Sequence, residues 1–388
     1  MKPLRILVHL LVFVLVLELT TRIDERLRFG TPLMSRVLSS EDLREFREGA
    51  VQGRPNARYQ KWGLNEMGLR GPSTTREPRP GVIRIVTVGA SETFGMAEAE
   101  GREYPRQLED SLNRAAERQS STHRFEVLNA SLPGMSIPSI LLGLRGHIRS
   151  LSPDVVVVYP SPSFYVDREA PHPPTDVQPD DTLSLSRAFR PRVLPRIVDA
   201  AKSLLPAAAL DRLRERDIQK SIEEYPPGWR FTSIPQDRLA LYSQHLREMV
   251  GTVRSIGAEP ILMTHGNAFM DGTRNEALAR AWVRFYPRAT ASTLIAFDSV
   301  ARAVTLQVAK DSGVVVVDVA ADLARSGKGD HLYSDFAHFT ELGAARVATD
   351  LRDSVRALVD RTTRERDVAG VVLQASGSRA PRATGGLQ

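Results

Sequence analysis

The chain has 388 residues, enough for one large α/β domain with insertions or for two domains. Its 42% hydrophobic and 25% charged content is that of a globular protein, and the absence of cysteine excludes disulfides, a thiol nucleophile and cysteine-ligated zinc or iron–sulfur centres. The formal net charge of +6 is largely a tail effect, because residues 361–388 hold five arginines against Glu365 and Asp367, and no aromatic–basic stripe points to nucleic acid.

Lys2 and Arg5 precede residues 6–19, which are apolar apart from His9 and Glu18. No small-x-small cleavage site follows closely, so the pattern predicts an uncleaved signal anchor over residues 1–21. The positive end stays inside and the body is exported. Residues 22–80 are polar and read as a stalk and lead-in, with a turn at Asn65-Glu-Met-Gly-Leu-Arg70-Gly71. A βα alternation starts near residue 82. Val82–Val88 reads as a strand, Tyr104–Arg118 as a helix, Phe125–Leu128 as a strand and Ile137–Arg149 as a helix. Val155–Tyr159 is a strand with four consecutive valines. Residues 160–236, rich in proline and charge, interrupt the rhythm and read as a cap or insertion, with an amphipathic piece near Val193–Arg214. The alternation resumes with a helix (Leu239–Ile256), a strand (Glu259–Thr264), a helix (Ala291–Ser312) and a strand (Val314–Val319). A last helix is N-capped at Thr340 and runs to about Val359. Residues 81–360 thus form one domain, and 361–388 read as a disordered tail. Unalternating strands separated by helices predict an α/β, flavodoxin-like three-layer sandwich with a parallel sheet of about five strands. In such sheets ligands bind at the carboxyl ends of the strands.

That rim collects the residues with chemistry. The first strand ends in Gly89-Ala90-Ser91, and Asp335-Phe-Ala-His338 stands just before the last helix. A serine hydroxyl needs a base, usually histidine, and a carboxylate that fixes the histidine's orientation. Three-residue spacing on one turn lets Asp335 reach the His338 imidazole. A tetrahedral intermediate needs donors for its oxyanion, and the Ser91 and Gly134 N–H groups are candidates. His265 and Asn267 follow the Glu259–Thr264 strand and reach the same rim, where they read as substrate contacts or as ordinary loop polarity; His331 has no assigned role and His147 reads as structural. Gly89 to Gly95 lacks the lysine of a P-loop and the glycine spacing of a dinucleotide turn, and the histidines and acids show no metal-binding spacing, so neither cofactor nor metal is expected.

Four ordered blocks resemble those of the SGNH/GDSL hydrolases: Gly89 to Gly95, Asn129-Ala-Ser-Leu-Pro-Gly134, Pro153 to Val158, and Asp335-x-x-His338. The Asn65–Gly71 lead-in is similar to one seen in membrane-anchored bacterial members. The resemblance covers roughly residues 60–360. It implies ester hydrolysis or acyl transfer without a metal, with Ser91 as nucleophile, His338 as base, Asp335 as its orienting carboxylate, and the Ser91 and Gly134 N–H groups as oxyanion donors. Two positions depart from the family. Ala90 replaces the usual aspartate, and Ser163 falls at or near the position of an oxyanion-binding asparagine, with Ser161 and Asn267 as alternatives. The implied partner is an acyl ester, such as the O-acetyl group of an envelope polysaccharide, met by an extracytoplasmic domain. The competing expectation is a catalytically silent relative that binds glycan or scaffolds an envelope assembly.

Overall fold

The computed structural model describes residues 2–121, 123–167, 169–171, 183–270, 272, 274–326 and 329–377. Helix α1 (Lys2–Phe29) is followed by two small antiparallel hairpins, β1 (Arg44–Arg47) with β2 (Ala50–Gly53) and β3 (Arg58–Tyr59) with β4 (Trp62–Gly63). The main sheet contains β5 (Val82–Gly89), β6 (Arg124–Asn129), β7 (Val155–Tyr159), β8 (Glu259–Met263) and β9 (Val315–Val317). All four pairings are parallel, and the spatial order is β6-β5-β7-β8-β9. Renumbered within the sheet, this is the 2-1-3-4-5 order of a flavodoxin-like sandwich.

The strands lack alternation because both faces are covered. All five residues of β7 are buried. Val86, Val88, Val156, Val158 and Leu262 face one hydrophobic cluster, built with α4 (Ile137–Arg145), α8 (Gln236–Ser255) and α10 (Ala291–Ser312). Ile85, Val155, Val157, Ile261 and Met263 face the other, built with α3 (Tyr104–Arg118) and α13 (Glu341–Gly377). Burial of this apolar area is the main drive for the layering, at about 25 cal/mol per Å². Between α10 and α13, β9 leads into α11 (Val319–Arg325) and then α12 (Gly329–Leu332).

Three segments differ from the sequence reading. The lead-in is part of the core, not a stalk: Val37, Leu43, Ala57, Leu64 and Leu69 are buried in the same cluster as the β5 valines. Its polar composition hid them because they are spaced along irregular chain, with no period to detect. The final helix continues to Gly377, well past Val359, because no proline interrupts it; residues 378–388 of the expected tail lie outside the described residues. The amphipathic piece is two helices, α6 (Val193–Ser203) and α7 (Ala207–Glu223), preceded by the short α5 (Leu185–Ala188). Residues 172–182 of the insertion lie outside the described residues. After it, α9 (Glu276–Phe285) connects β8 to α10.

Candidate active site

Strand β5 delivers Ser91 to the carboxyl edge of the sheet, where α2 (Ser91–Phe94) begins. The turn is tight. A Cβ on Gly89 would lie 2.2 Å from Thr93 Oγ1, so only glycine lets the helix fold back onto the strand end. Thr93 is buried; its Oγ1 accepts from Tyr104 Oη (3.1 Å) and its carbonyl from Asn129 Nδ2 (2.9 Å). The lead-in buttresses the same turn. Asn65 Oδ1 accepts from the Met67 and Leu69 N–H groups, shaping the loop that presents Arg70. The buried Arg70 guanidinium donates to the Gly95 carbonyl (2.7 Å), lies 4.7 Å from the centre of the Phe94 ring and pairs with Glu103 at 3.7 Å. Its backbone N–H donates to the Asn129 carbonyl at the end of β6. The Asn65–Gly71 motif therefore holds the serine turn, a role its sequence reading as a simple turn did not include.

The Asp335–His338 segment lies in the loop between α12 and α13. Asp335 Oδ2 is 2.7 Å from His338 Nδ1, while Oδ1 accepts the backbone N–H groups of Ala337 and His338, both at 2.9 Å. The three contacts fix the carboxylate and aim the imidazole. Thr340 Oγ1 accepts from the Gly343 N–H (3.2 Å), the N-cap contact expected from the sequence. Burial opposes ionisation of Asp335, but the bonds to His338 and the two N–H groups outweigh it and hold its carboxyl below the usual range. Burial likewise opposes charging of His338, yet the Asp335 bond and the nearby charges of Glu92, Asp335 and Glu98 raise its pKa above 6.5. The next residue, Phe339, packs against Tyr104 and Tyr159 with ring centroids 6.4 and 5.8 Å apart, and Tyr159 pairs with Gly89 at the end of β5.

The serine and histidine are not joined. Among the described hydrogen bonds, Ser91 Oγ reaches Glu92 Oε2 (3.3 Å) and not His338. Glu92 heads a buried polar cluster that sequence reading missed. Its carboxylate also accepts from Ser161 Oγ (3.1 and 3.2 Å) and lies 3.3 Å from His265 Nε2. On the far side, His265 Nδ1 is 2.9 Å from Asp298 Oδ1, a charge contact without hydrogen-bond alignment. Asn267 Nδ2 donates to Asp298 Oδ2. Burial disfavours the His265 cation, but the Asp298 and Glu92 charges and contacts prevail and raise its pKa to about 10. Burial would also raise Glu92, but the His265 bond and charge, with His338, bring it down to about 2. The cluster thus favours the protonated form of His265 and the ionised form of Glu92. A signal for it was available: Asp298 shares the apolar face of α10 with Leu294, Ala301 and Thr305, where an unpaired acid would be costly.

The other expected oxyanion residues are placed differently. Ser163 is buried, and its Oγ accepts from Trp282 Nε1 (3.1 Å); Trp282 is stacked between Phe269 and Phe336. Asn267 is buried and committed to Asp298 and to the Phe269 N–H. The Asn267 amide N–H is thus taken up by Asp298, whereas Ser163 accepts from Trp282 and keeps its own O–H as a donor. Gly134 has φ +75°, and a Cβ there would lie 2.8 Å from Arg44 Nη1. Glu98 is buried, and that burial raises its pKa to about 7. Among the described residues, no group of three or more His, Cys, Asp or Glu side chains could hold a metal.

No family model and no curated protein matches the chain. Solved structures that align with it include an acetyl xylan esterase, AlAXEase, at 11% identity and TM-score 0.41, covering 70% of this chain and 100% of that one. A catalytic mutant of Axe2, an acetylxylan esterase from Geobacillus stearothermophilus, aligns at 14% identity and TM-score 0.40, covering 69% and 92%. A lipase/acylhydrolase from Enterococcus faecalis aligns at 13% and 0.40, covering 71% and 96%. At these values the fold assignment rests on strand order and direction alone.

Proposed function

We propose that the protein is a membrane-anchored serine hydrolase acting on ester bonds, with acyl transfer to water or to a sugar hydroxyl. The observation that supports this reading is the Asp335–His338 pair, locked by three contacts, in a chain whose Ser91 stands at the carboxyl edge of the sheet. Catalysis on this reading requires Ser91 Oγ to leave Glu92 and reach the imidazole, a closure compatible with the loose hydrogen bonds of substrate-free sites. Oγ then attacks the acyl carbon, and its proton passes to His338 Nε2. The imidazolium, stabilised by Asp335, returns the proton to the leaving alkoxide. A second hydroxyl, of water or of an acceptor sugar, resolves the acyl-Ser91 intermediate by the same steps. The Ser91 and Gly134 N–H groups are the oxyanion donors in this scheme. Acetylated polysaccharide is the substrate that an exported position and the sequence resemblance favour.

The location is supported by α1, a 28-residue helix in which Pro3–Phe29 are long and apolar enough to cross a membrane. The apolar side chains from Leu4 to Val16 are exposed, as lipid contact requires. Lys2 and Arg5 would remain cytoplasmic and the α/β domain would face the envelope.

A second reading, a catalytically silent glycan-binding relative, is favoured by one observation: Ser91 Oγ bonds to Glu92 rather than to His338. Labelling by a fluorophosphonate probe, together with p-nitrophenyl acetate hydrolysis, separates the two. The enzyme reading expects both in the parent chain and neither in Ser91→Ala. A parent chain that is folded but inert to probe and ester, while binding acetylated polysaccharide, would establish the silent reading instead.

A further inference from the structure

The insertion carries an apolar face that the domain does not cover. Helix α6 has no buried residue at all, although its sequence is strongly amphipathic. Leu194, Ile197, Val198 and Ala201 fall on one stripe at i, i+3, i+4 and i+7, and Leu205 extends it. Leu194 is 60% exposed, Ile197 51% and the preceding Phe189 70%. Apolar helix stripes in a soluble domain normally face its core.

The opposite side of α6 is fastened to α1. Glu18 Oε2 accepts the backbone N–H groups of Arg192 (2.7 Å) and Val193 (3.0 Å), which start the helix. Arg192 also pairs with Glu25, and Arg196 with Asp24 (2.7 Å). Arg22 donates to the Arg190 carbonyl at 3.0 Å. Glu18 is the first acid of α1 and stands at the end of its apolar run, so the first turn of α6 is pinned at the level where that run ends. The cleft between the two helices, about 550 Å³, is lined by Asp24, Glu25, Arg28, Arg192, Arg196 and Asp199. Arg192 and Arg196 on the charged side of α6 are thus paired with acids of α1, while its apolar stripe is exposed, as are the apolar side chains of α1 from Leu4 to Val16.

We propose that residues 185–205 form a second membrane contact, lying in the headgroup–acyl boundary of the leaflet where α1 emerges. This rests on the reading of α1 as a spanning anchor. A helix with one charged and one apolar face at that depth has the properties of an interfacial segment. The contact would fix the tilt of the α/β domain and the height of the Ser91 site above the bilayer, where a single spanning helix would leave it free to swing.

The chain has no native cysteine, so single-cysteine labelling tests this directly. The full chain is reconstituted in phosphatidylcholine vesicles with NBD on Leu194→Cys, Ile197→Cys, Ser203→Cys or Val12→Cys, and challenged with doxyl-labelled lipid. Quenching at positions 194 and 197 at least about twofold above that at 203, with blue-shifted emission, is the expected result. If position 12 is quenched but 194 and 197 match 203, the anchor stands and the second contact is refuted. If position 12 is not quenched either, the anchor reading fails and takes the proposal with it. Concentration-dependent cross-linking of Ile197→Cys without lipid quenching would assign the stripe to a second copy and overturn the lipid contact.

Discussion

Replacing His265 by glutamine tests the buried cluster beneath Ser91. The imidazole lies between Glu92 and Asp298, at 3.3 and 2.9 Å, and all three side chains are buried. Glutamine keeps much of the volume and can still donate a hydrogen bond, but it removes the positive charge. Removing one partner of a buried charge pair costs about 3–5 kcal/mol. The pKa of His265 gives the same scale: a rise from 6.5 to about 10, at about 1.4 kcal/mol per unit, is on the order of 5 kcal/mol. The sign follows from linkage. The folded pKa is raised, so the contribution is complete below pH 6.5 and lost as pH rises through about 10. The deficit of His265→Gln is therefore expected to be several kcal/mol near pH 6 and to shrink toward zero near pH 10, where the parent imidazole is itself neutral. Below about pH 4.5 it narrows again, because the folded pKa of Glu92 in the parent is depressed to about 2 and that stabilisation is lost as pH falls through this range. Urea unfolding of the full chain in non-ionic detergent, followed by tryptophan fluorescence, measures this. Adding Glu92→Gln to His265→Gln should recover part of the loss, giving a favourable coupling energy. A deficit independent of pH, or additive losses in the double variant, would refute the charge assignment.

Three further outcomes follow from the site. In the proposed mechanism His338 serves as a base only when neutral, and its pKa is raised, so kcat/KM for ester hydrolysis should climb through a midpoint above pH 6.5. Asp335→Asn removes the leading cause of that rise, so the midpoint should move to lower pH while the plateau falls; an unmoved midpoint would show that His338 is not the group titrating. Ser163→Ala should leave turnover within about threefold and cost about 1 kcal/mol of stability, since its hydroxyl serves Trp282. A loss of about 100-fold would restore it as an oxyanion donor.

Much of the fold was legible because the β strands are buried on both faces. Continuous valine runs such as Val155–Tyr159, separated by helical spacing, leave few alternatives to a parallel sheet. The bounds of Tyr104–Arg118 and Ala291–Ser312 coincide with the observed helices, because apolar periodicity there is interrupted by clear turn residues. Asp335 and His338 were also legible as a pair, since their interaction lies within four consecutive residues and needs no distant element. The sequence by itself thus determined the strand order's raw material, the apolar first helix and the candidate nucleophile and base.

What only the tertiary structure decided are contacts between residues far apart in the chain. Glu92, Ser161, His265 and Asp298 come from four separate elements, and no local pattern links them. The roles of Ser163 and Asn267 depended on whether a deeper partner was within reach, and Trp282 and Asp298 supplied one. The lead-in joined the core through isolated apolar residues and through Arg70, whose reach to Gly95 spans 25 positions. Local periodicity reports which face of an element is apolar. Which buried polar group meets which, and which apolar face stays uncovered, depends on how the elements pack in three dimensions.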